Sequence, residues 1–277
     1  MHELIAFVGG GNMAASLIGG LLAAGHPAAR LRVSVRTAES AERLRRRFGI
    51  EALTDNAAAV RGAGIVVLAV KPQLMAEALH GLRVEPGASV ISVAAGVRVA
   101  TLAQWLGTDR IVRTMPNTPA LFGAGISGMY ADAALPQAAR GQAEYVLRCA
   151  GETCWVAREE QIDAVTALSG CGPAYYFHLT EVLREAGAAL GLDPAVAAKL
   201  ALSTFIGAAR MAKESGEDVA ALRAQVTSKG GSTEAALAQL EQAGLGRIFR
   251  EALAAAEHRA RLRGEELAQP AAAPTTR

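Results

Sequence analysis

The chain has 277 residues, 51% of them hydrophobic and only 4% aromatic, so a full core must rest on Ala, Leu, Val and Ile in one large or two modest domains. Its 28 Lys and Arg offset 26 Asp and Glu, a formal net charge of +2, which is too even for a nucleic-acid or membrane-surface partner. Three cysteines (Cys149, Cys154, Cys171) lack CxxC spacing and five histidines form no HxxxH or HxH pair, which argues against a disulfide framework and a metal site.

The start, Met1-His2-Glu3-Leu4, lacks the basic segment of a secretory signal, and no apolar run looks close to the ~20 residues that span a bilayer. The chain therefore reads as soluble and cytoplasmic, with no membrane partner.

Glu3 to Val8 is a β-prone run that ends at Gly9-Gly10-Gly11-Asn12-Met13-Ala14, and a helical stripe of Leu17, Ile18, Leu21 and Leu22 follows. Strand, tight turn and helix are the context in which a G-x-G-x-x-A match means a dinucleotide pyrophosphate rather than an ordinary glycine turn. Gly9 would permit the turn, Gly11 would let the backbone approach the phosphates, and Ala14 would let helix and strand close up.

The second strand, Leu31 to Val35, bears on the cofactor. An NAD site usually ends this strand in Asp or Glu, for the ribose 2′-hydroxyl. Here Val35 is followed by Arg36 and Thr37, and a guanidinium beside a hydroxyl suits a 2′-phosphate. The reading is NADPH over NADH. Arg43, Arg45, Arg46 and Arg47 read as a solvated helix face.

Strand-like runs recur at 64–70, 88–93 and 110–114, each opening into a loop: Ala69-Val70-Lys71-Pro72, Ala94-Ala95-Gly96, and Met115-Pro116-Asn117-Thr118-Pro119. Their nearly continuous apolar character fits a parallel sheet covered on both faces, whose ligands bind beyond the carboxyl ends of the strands. A run at 125–130, a helix over 137–149 and a strand at 152–156 complete the sheet, and the first domain ends near residue 160.

Beyond that point only helical patterns remain, over 159–168, 173–190, 194–212, 217–226, 233–242 and 244–266. The helix from Ala174 to Leu190 is apolar around much of its circumference, which suggests burial against another subunit. Residues 161–268 are read as one helical domain and 269–277 as a disordered tail. Ser169-Gly170-Cys171-Gly172-Pro173 opens a helix with accessible amides; Cys171 is read as a small packed residue rather than a nucleophile.

The segment Val226 to Leu237 is rich in hydroxyls and glycine and runs into an Ala/Leu-rich helix. Ser232 or Thr233 could simply cap that helix, but capping leaves Thr227, Ser228, Gly230 and Gly231 unexplained. The amides of a helix start also form an anion site.

These motifs together resemble the pyrroline-5-carboxylate reductase family. The resemblance covers nearly the whole chain: the turn at 9–14, Ala69-Val70-Lys71-Pro72, Ala94-Ala95-Gly96, Met115 to Pro119, Ser169 to Tyr175, and the specific loop at 226–237. Family members usually carry Ser where this chain has Cys171.

The resemblance implies an α/β Rossmann-type domain over 1–160, then an all-α dimerisation and substrate domain, in a homodimer or larger homo-oligomer built through the C-terminal helices. It implies NAD(P)H-dependent reduction of the C=N bond of Δ1-pyrroline-5-carboxylate to L-proline. The cofactor residues would be Gly9, Gly11, Asn12, Met13, Arg36, Thr37, Asn56, Ala69, Val70, Lys71, Pro72, Ala95, Gly96 and Asn117. The substrate residues would be Ser228, Gly230, Gly231, Ser232 and Thr233, on a loop from a neighbouring subunit, with Thr233 touching the reacting ring. Two other readings remain: a β-hydroxyacid dehydrogenase, which needs a lysine on the first long helix of the second domain, and an NADP-binding sensor without turnover. The 173–190 helix has no lysine.

Overall fold

The structure is a computed structural model and describes residues 3–268; the tail read at 269–277 lies outside the described residues. The first half forms an eight-stranded sheet: β1 (Ile5–Val8), β2 (Leu31–Ser34), β3 (Glu51–Leu53), β4 (Ile65–Leu68), β5 (Ser89–Ser92), β6 (Ile111–Met115), β7 (Gly125–Tyr130) and β8 (Gly151–Trp155). Its order is β3-β2-β1-β4-β5-β6-β7-β8, and the first six strands have the doubly wound dinucleotide-fold order. All neighbours pair in parallel except β6 and β7, which run antiparallel with Thr114 opposite Met129.

Among the described residues seven α-helices accompany the sheet: α1 (Asn12–Ala23), α2 (Ala38–Phe48), α3 (Asn56–Val60), α4 (Met75–Leu79), α5 (Val99–Leu106), α6 (Gln137–Arg148) and α7 (Gln161–Val165). The strand period of two divides the core between them. Ile5 and Phe7 of β1, with Ile65 and Val67 of β4, pack with Leu17, Ile18 and Leu21 of α1 and Val146 of α6. Ala6, Val8, Val66 and Leu68 point the other way, to Val60 of α3, Met75 and Leu79 of α4, and Leu102 and Leu106 of α5. The short pieces β3, α3 and α4 give little periodic signal. They are fixed by caps and by their neighbours: Asp55 accepts from the amides of Ala57 and Ala58 at the start of α3, at 2.8 and 3.3 Å.

The helical half comprises α8 (Gly172–Ala189), α9 (Pro194–Ser215), α10 (Val219–Gln225), α11 (Ser232–Gln242) and α12 (Leu245–Ala268). Asp193 caps α9 through the amides of Ala195 and Val196, and Gly216, at φ 68°, ends it. The compact division of the chain falls at Cys171/Gly172, and residues 255–268 group with the first unit rather than the second, which spans 172–254. Between α7 and α8 the helix expected over 159–168 ends in a π-turn at Thr166–Gly170, where Thr166 and Ser169 hydroxyls donate back to the Ile162 and Val165 carbonyls.

In the second unit α8 packs on α9, with the Tyr176 and Phe205 rings stacked at 5.4 Å and Gly187 close to Ala197. Most of the large apolar side chains of both helices remain exposed, among them Phe177, Leu183, Leu200 and Ile206. α9, at 22 residues, is also long and apolar enough by length and composition to cross a membrane, so the expectation that no such run exists does not hold. Scattered polar residues had masked it in the sequence; the helix is apolar on average rather than without interruption.

Candidate active site

The ends of four strands, β1 to β4, and the segments that follow them build one basic cavity of about 440 Å³. Gly9, Gly10 and Gly11 form its floor, Arg36, Thr37, Ser40 and Arg43 one wall, and Ala69, Val70 and Lys71 another; Thr54, Asn56 and Glu77 close it. Gly9 has φ 99°, and a Cβ there would meet the Ala69 backbone at 2.8 Å, so only glycine can make this turn. Gly10 is a packing glycine: a side chain would collide with Val35 and Leu44. A Cβ on Gly11 would have nothing within 4 Å, and Gly11 is the N-cap of α1 with no side-chain cap, so no capping side chain takes up the first amides of α1. That cradle fits a dinucleotide pyrophosphate.

The wall after β2 carries the anion-binding chemistry. Thr37 caps α2: its hydroxyl accepts from the Ser40 amide at 3.2 Å and donates to the Ser40 hydroxyl at 2.9 Å. Arg43 donates to the same Ser40 hydroxyl at 3.3 Å, and it lines the cavity rather than a purely solvated face. The arginine run thus divides. Arg45 and Arg46 pair with Glu42, and their two guanidinium groups, Arg46 first, hold its carboxyl below the usual range. Arg47 lies over the Phe48 ring. Among the described lining residues three cations, Arg36, Arg43 and Lys71, outnumber one carboxylate, Glu77. Asn56 donates to the Ala78 carbonyl at 3.0 Å while lining the cavity.

Of the expected cofactor residues, Gly9, Gly11, Arg36, Thr37, Asn56, Ala69, Val70 and Lys71 meet at this cavity. The others do not line it. Asn12 and Met13 open α1, with Met13 packed against the core. Pro72 starts a 3-10 turn and holds Lys71 extended at ψ 141°. Ala95 and Gly96 follow β5, and Gly96 is buried with φ 83°. Asn117, after β6, is 9% exposed; its side chain donates to the Ser169 carbonyl at 3.2 Å and accepts from the Ile126 amide at 3.0 Å. Its amide thereby joins the β6 loop to the π-turn.

Sequence reasoning missed a buried charge cluster beneath those two loops. Arg113 of β6, 1% exposed, donates to Glu159 and Asp163, each at 3.1 Å. Asp163 also accepts from Arg98 at 2.6 Å, and Glu159 from the Val99 amide at 2.8 Å. Two guanidinium groups meet two carboxylates, so the charges balance, and both terminal nitrogens of Arg113 are hydrogen-bonded while its buried Nε is not. It ties the start of α5, just past Gly96, to α7. The partners lie 46 to 65 positions apart, which no local pattern reveals.

The loop after α10 is described within its own unit. Gly230, at φ 72°, reverses the chain, its amide donates to the Glu234 carboxylate at 2.7 Å, and the Gly231 amide donates to the Ser228 carbonyl at 3.0 Å. The cap of α11 is Gly231, without a side-chain bond, so neither Ser232 nor Thr233 caps the helix as the sequence suggested. The left-handed Gly230 turn moves the start of α11 forward and puts both hydroxyl residues inside its first turn. Their amides and that of Glu234 have no intrahelical acceptor at this position. Among the described residues no three His, Cys, Asp or Glu side chains gather as metal ligands, and Cys149, Cys154 and Cys171 are free thiols.

Comparison with known proteins agrees with this arrangement. Residues 159–262 match the family model for pyrroline-5-carboxylate reductase dimerisation, and residues 4–96 match one described as NADP oxidoreductase, coenzyme F420-dependent. A pyrroline-5-carboxylate reductase of Pseudomonas aeruginosa is 46% identical over 96% of this chain and 98% of its own. The solved pyrroline-5-carboxylate reductase of Coxiella burnetii superposes with a TM-score of 0.90 at 39% identity, covering 97% of this chain and 99% of that one. A Plasmodium falciparum pyrroline carboxylate reductase solved with NADP bound gives 0.79 at 26% identity, over 95% and 98% of the two chains. Both halves match across nearly their full length, and the chain belongs to the pyrroline-5-carboxylate reductase family.

Proposed function

We propose that the chain reduces the C=N bond of Δ1-pyrroline-5-carboxylate to give L-proline, with NADPH as the preferred reductant, in the cytoplasm. The observation that carries this reading is full-length similarity to pyrroline-5-carboxylate reductases, together with a basic cavity at the carboxyl ends of β1 to β4. A β-hydroxyacid dehydrogenase is disfavoured because α8 has no lysine to protonate a carbonyl.

A reduced nicotinamide dinucleotide, when bound, supplies the hydride. The uncapped amides at Gly11 and the start of α1 hold its pyrophosphate. Arg36, with Thr37, Ser40 and Arg43, holds the ribose 2′-phosphate, for which a guanidinium is the natural donor. No carboxylate follows β2 to favour a free 2′-hydroxyl; Ser34 and Val35 stand there. Asn56 completes the ribose side. The loops bearing Ala95 and Asn117 shape the nicotinamide end.

The protonated cyclic imine is already electrophilic, so the protein's task is alignment rather than acid–base chemistry. The substrate carboxylate is bound by amides of the 226–237 loop. Because those of Gly230 and Gly231 are engaged within the loop, the anion falls to the first-turn amides of α11, at Ser232, Thr233 and Glu234. Ser228 and the two glycines shape the approach. The Thr233 hydroxyl orients the ring nitrogen; its high pKa makes it a poor proton donor. Hydride would add to the imine carbon as the C=N π electrons pass to nitrogen, which keeps the proton it already carries; the resulting secondary amine then takes one proton from solvent to give zwitterionic L-proline.

The exposed apolar faces of α8 and α9 are buried against a second copy of the chain, which accounts for α9 without a bilayer. Mixing the enzyme with NADPH and pyrroline-5-carboxylate and measuring proline formed tests the reaction. Failure to form proline would rule it out.

A further inference from the structure

Gly264 sits inside α12, and its position is buried. Glycine is a poor helix former, so a buried one within a helix points to close packing. The packing partner is the cofactor loop after β5. A Cβ on Gly264 would lie 3.1 Å from the Gly96 carbonyl oxygen and 3.4 Å from Nε of Arg98. From the other side, a Cβ on Gly96 would lie 3.2 Å from Leu267 Cδ1 and 3.6 Å from the Gly264 amide nitrogen. Two glycines facing each other let helix backbone and loop backbone approach more closely than side chains allow. Leu267 then reaches the core cluster formed by Val97, Leu102 and their neighbours.

The loop is thus held from two directions. On one side Asp163 grips Arg98 and Glu159 grips the Val99 amide. On the other lies the last part of α12, beyond residue 262, where the match to the family's dimerisation region ends.

We infer that Gly264 and Leu267 are positioning residues for the dinucleotide: the C-terminal end of α12 holds the Ala95–Gly96 loop in its cofactor-binding shape. This rests on the reading that the Ala95–Gly96 loop contacts the cofactor. Gly264→Val forces the helix off the loop, and Leu267→Ala removes its anchor while leaving the helix intact. In the full-length protein, Gly264→Val raises the NADPH Kd, read by nucleotide fluorescence, and the KM for NADPH by about fivefold or more. The kcat at saturating NADPH and the KM for the imine stay within about twofold. Leu267→Ala shifts the same constants in the same direction by less, and it alone carries the test should Gly264→Val not fold.

A purely structural role predicts something else: a lower melting temperature with an unchanged NADPH Kd in the folded variants. That result overturns the inference. Gly96→Ala separates this from the underlying reading. If Gly96→Ala weakens NADPH binding while the two α12 variants do not, only the positioning role fails. If Gly96→Ala also binds NADPH normally, the assignment of the loop to the cofactor fails, and the inference with it.

Discussion

Arg36 and Arg43 flank the Thr37–Ser40 cap of α2, and a phosphate between them gains two guanidinium donors where an unphosphorylated ribose gains little. Arg36→Ala is therefore expected to raise the KM for NADPH about tenfold and leave that for NADH nearly unchanged, a loss of about 1.4 kcal/mol of selective binding. Equal losses with both cofactors in steady-state kinetics would remove Arg36 from the 2′-phosphate site. Thr233→Ala is expected to lower kcat/KM by roughly tenfold or more, and Thr233→Ser to restore most of it. Kinetics matching the wild type in Thr233→Ala would take the hydroxyl away from the reacting ring. That Gly9, Gly11 and Arg36 would meet beyond the strand ends was readable in the sequence, because a turn between strand and helix is a local pattern with a local cause. Arg43 was not: four arginines within five positions look alike until the fold turns one of them toward the cavity.

Elements that bury long apolar runs announced themselves. β1, β4, β5 and β6 are fully or almost fully buried; β4 is an unbroken Ile-Val-Val-Leu run and β1 is wholly apolar, while β5 and β6 each carry an adjacent Val–Ile pair beside buried polar residues. The three-residue β3 and the five-residue α3 and α4 stayed hidden, since neither period can complete itself in so few positions. The charge cluster under the loops after β5 and β6 was also invisible, being made of contacts between distant segments. Its consequence is testable. Asp163→Asn keeps the shape but leaves Arg113 and Arg98 short of a charge in a buried setting, which costs about 3–5 kcal/mol. Urea unfolding should show an earlier midpoint; a midpoint equal to the wild type's would mean the cluster contributes no stability. The return of residues 255–268 to the first unit was likewise unreadable. A single uninterrupted helical pattern runs through α12, and nothing in its periodicity marks where one unit's share of it ends.

At the level of the whole molecule, the chain joins a dinucleotide fold to a helical unit whose apolar side chains are largely uncovered in one copy. Phe177 is 67% exposed and Ile206 57%, and the proposed contact with a second copy would cover both. The sequence already hinted at this through an apolar α8 with few aromatics, and the family's dimerisation region covers the same helices. Replacing Leu183 and Ile206 together by Glu should convert the assembly to monomers in light scattering and abolish turnover; an unchanged mass would place the interface elsewhere. The reaction itself remains the central claim. Its most direct measurement follows NADPH absorbance and proline together after pyrroline-5-carboxylate is added to the purified protein. Equal amounts of NADPH consumed and L-proline formed are expected, with a higher kcat/KM for NADPH than for NADH. No imine-dependent oxidation, together with reduction of NADP by a hydroxyacid, would contradict the account.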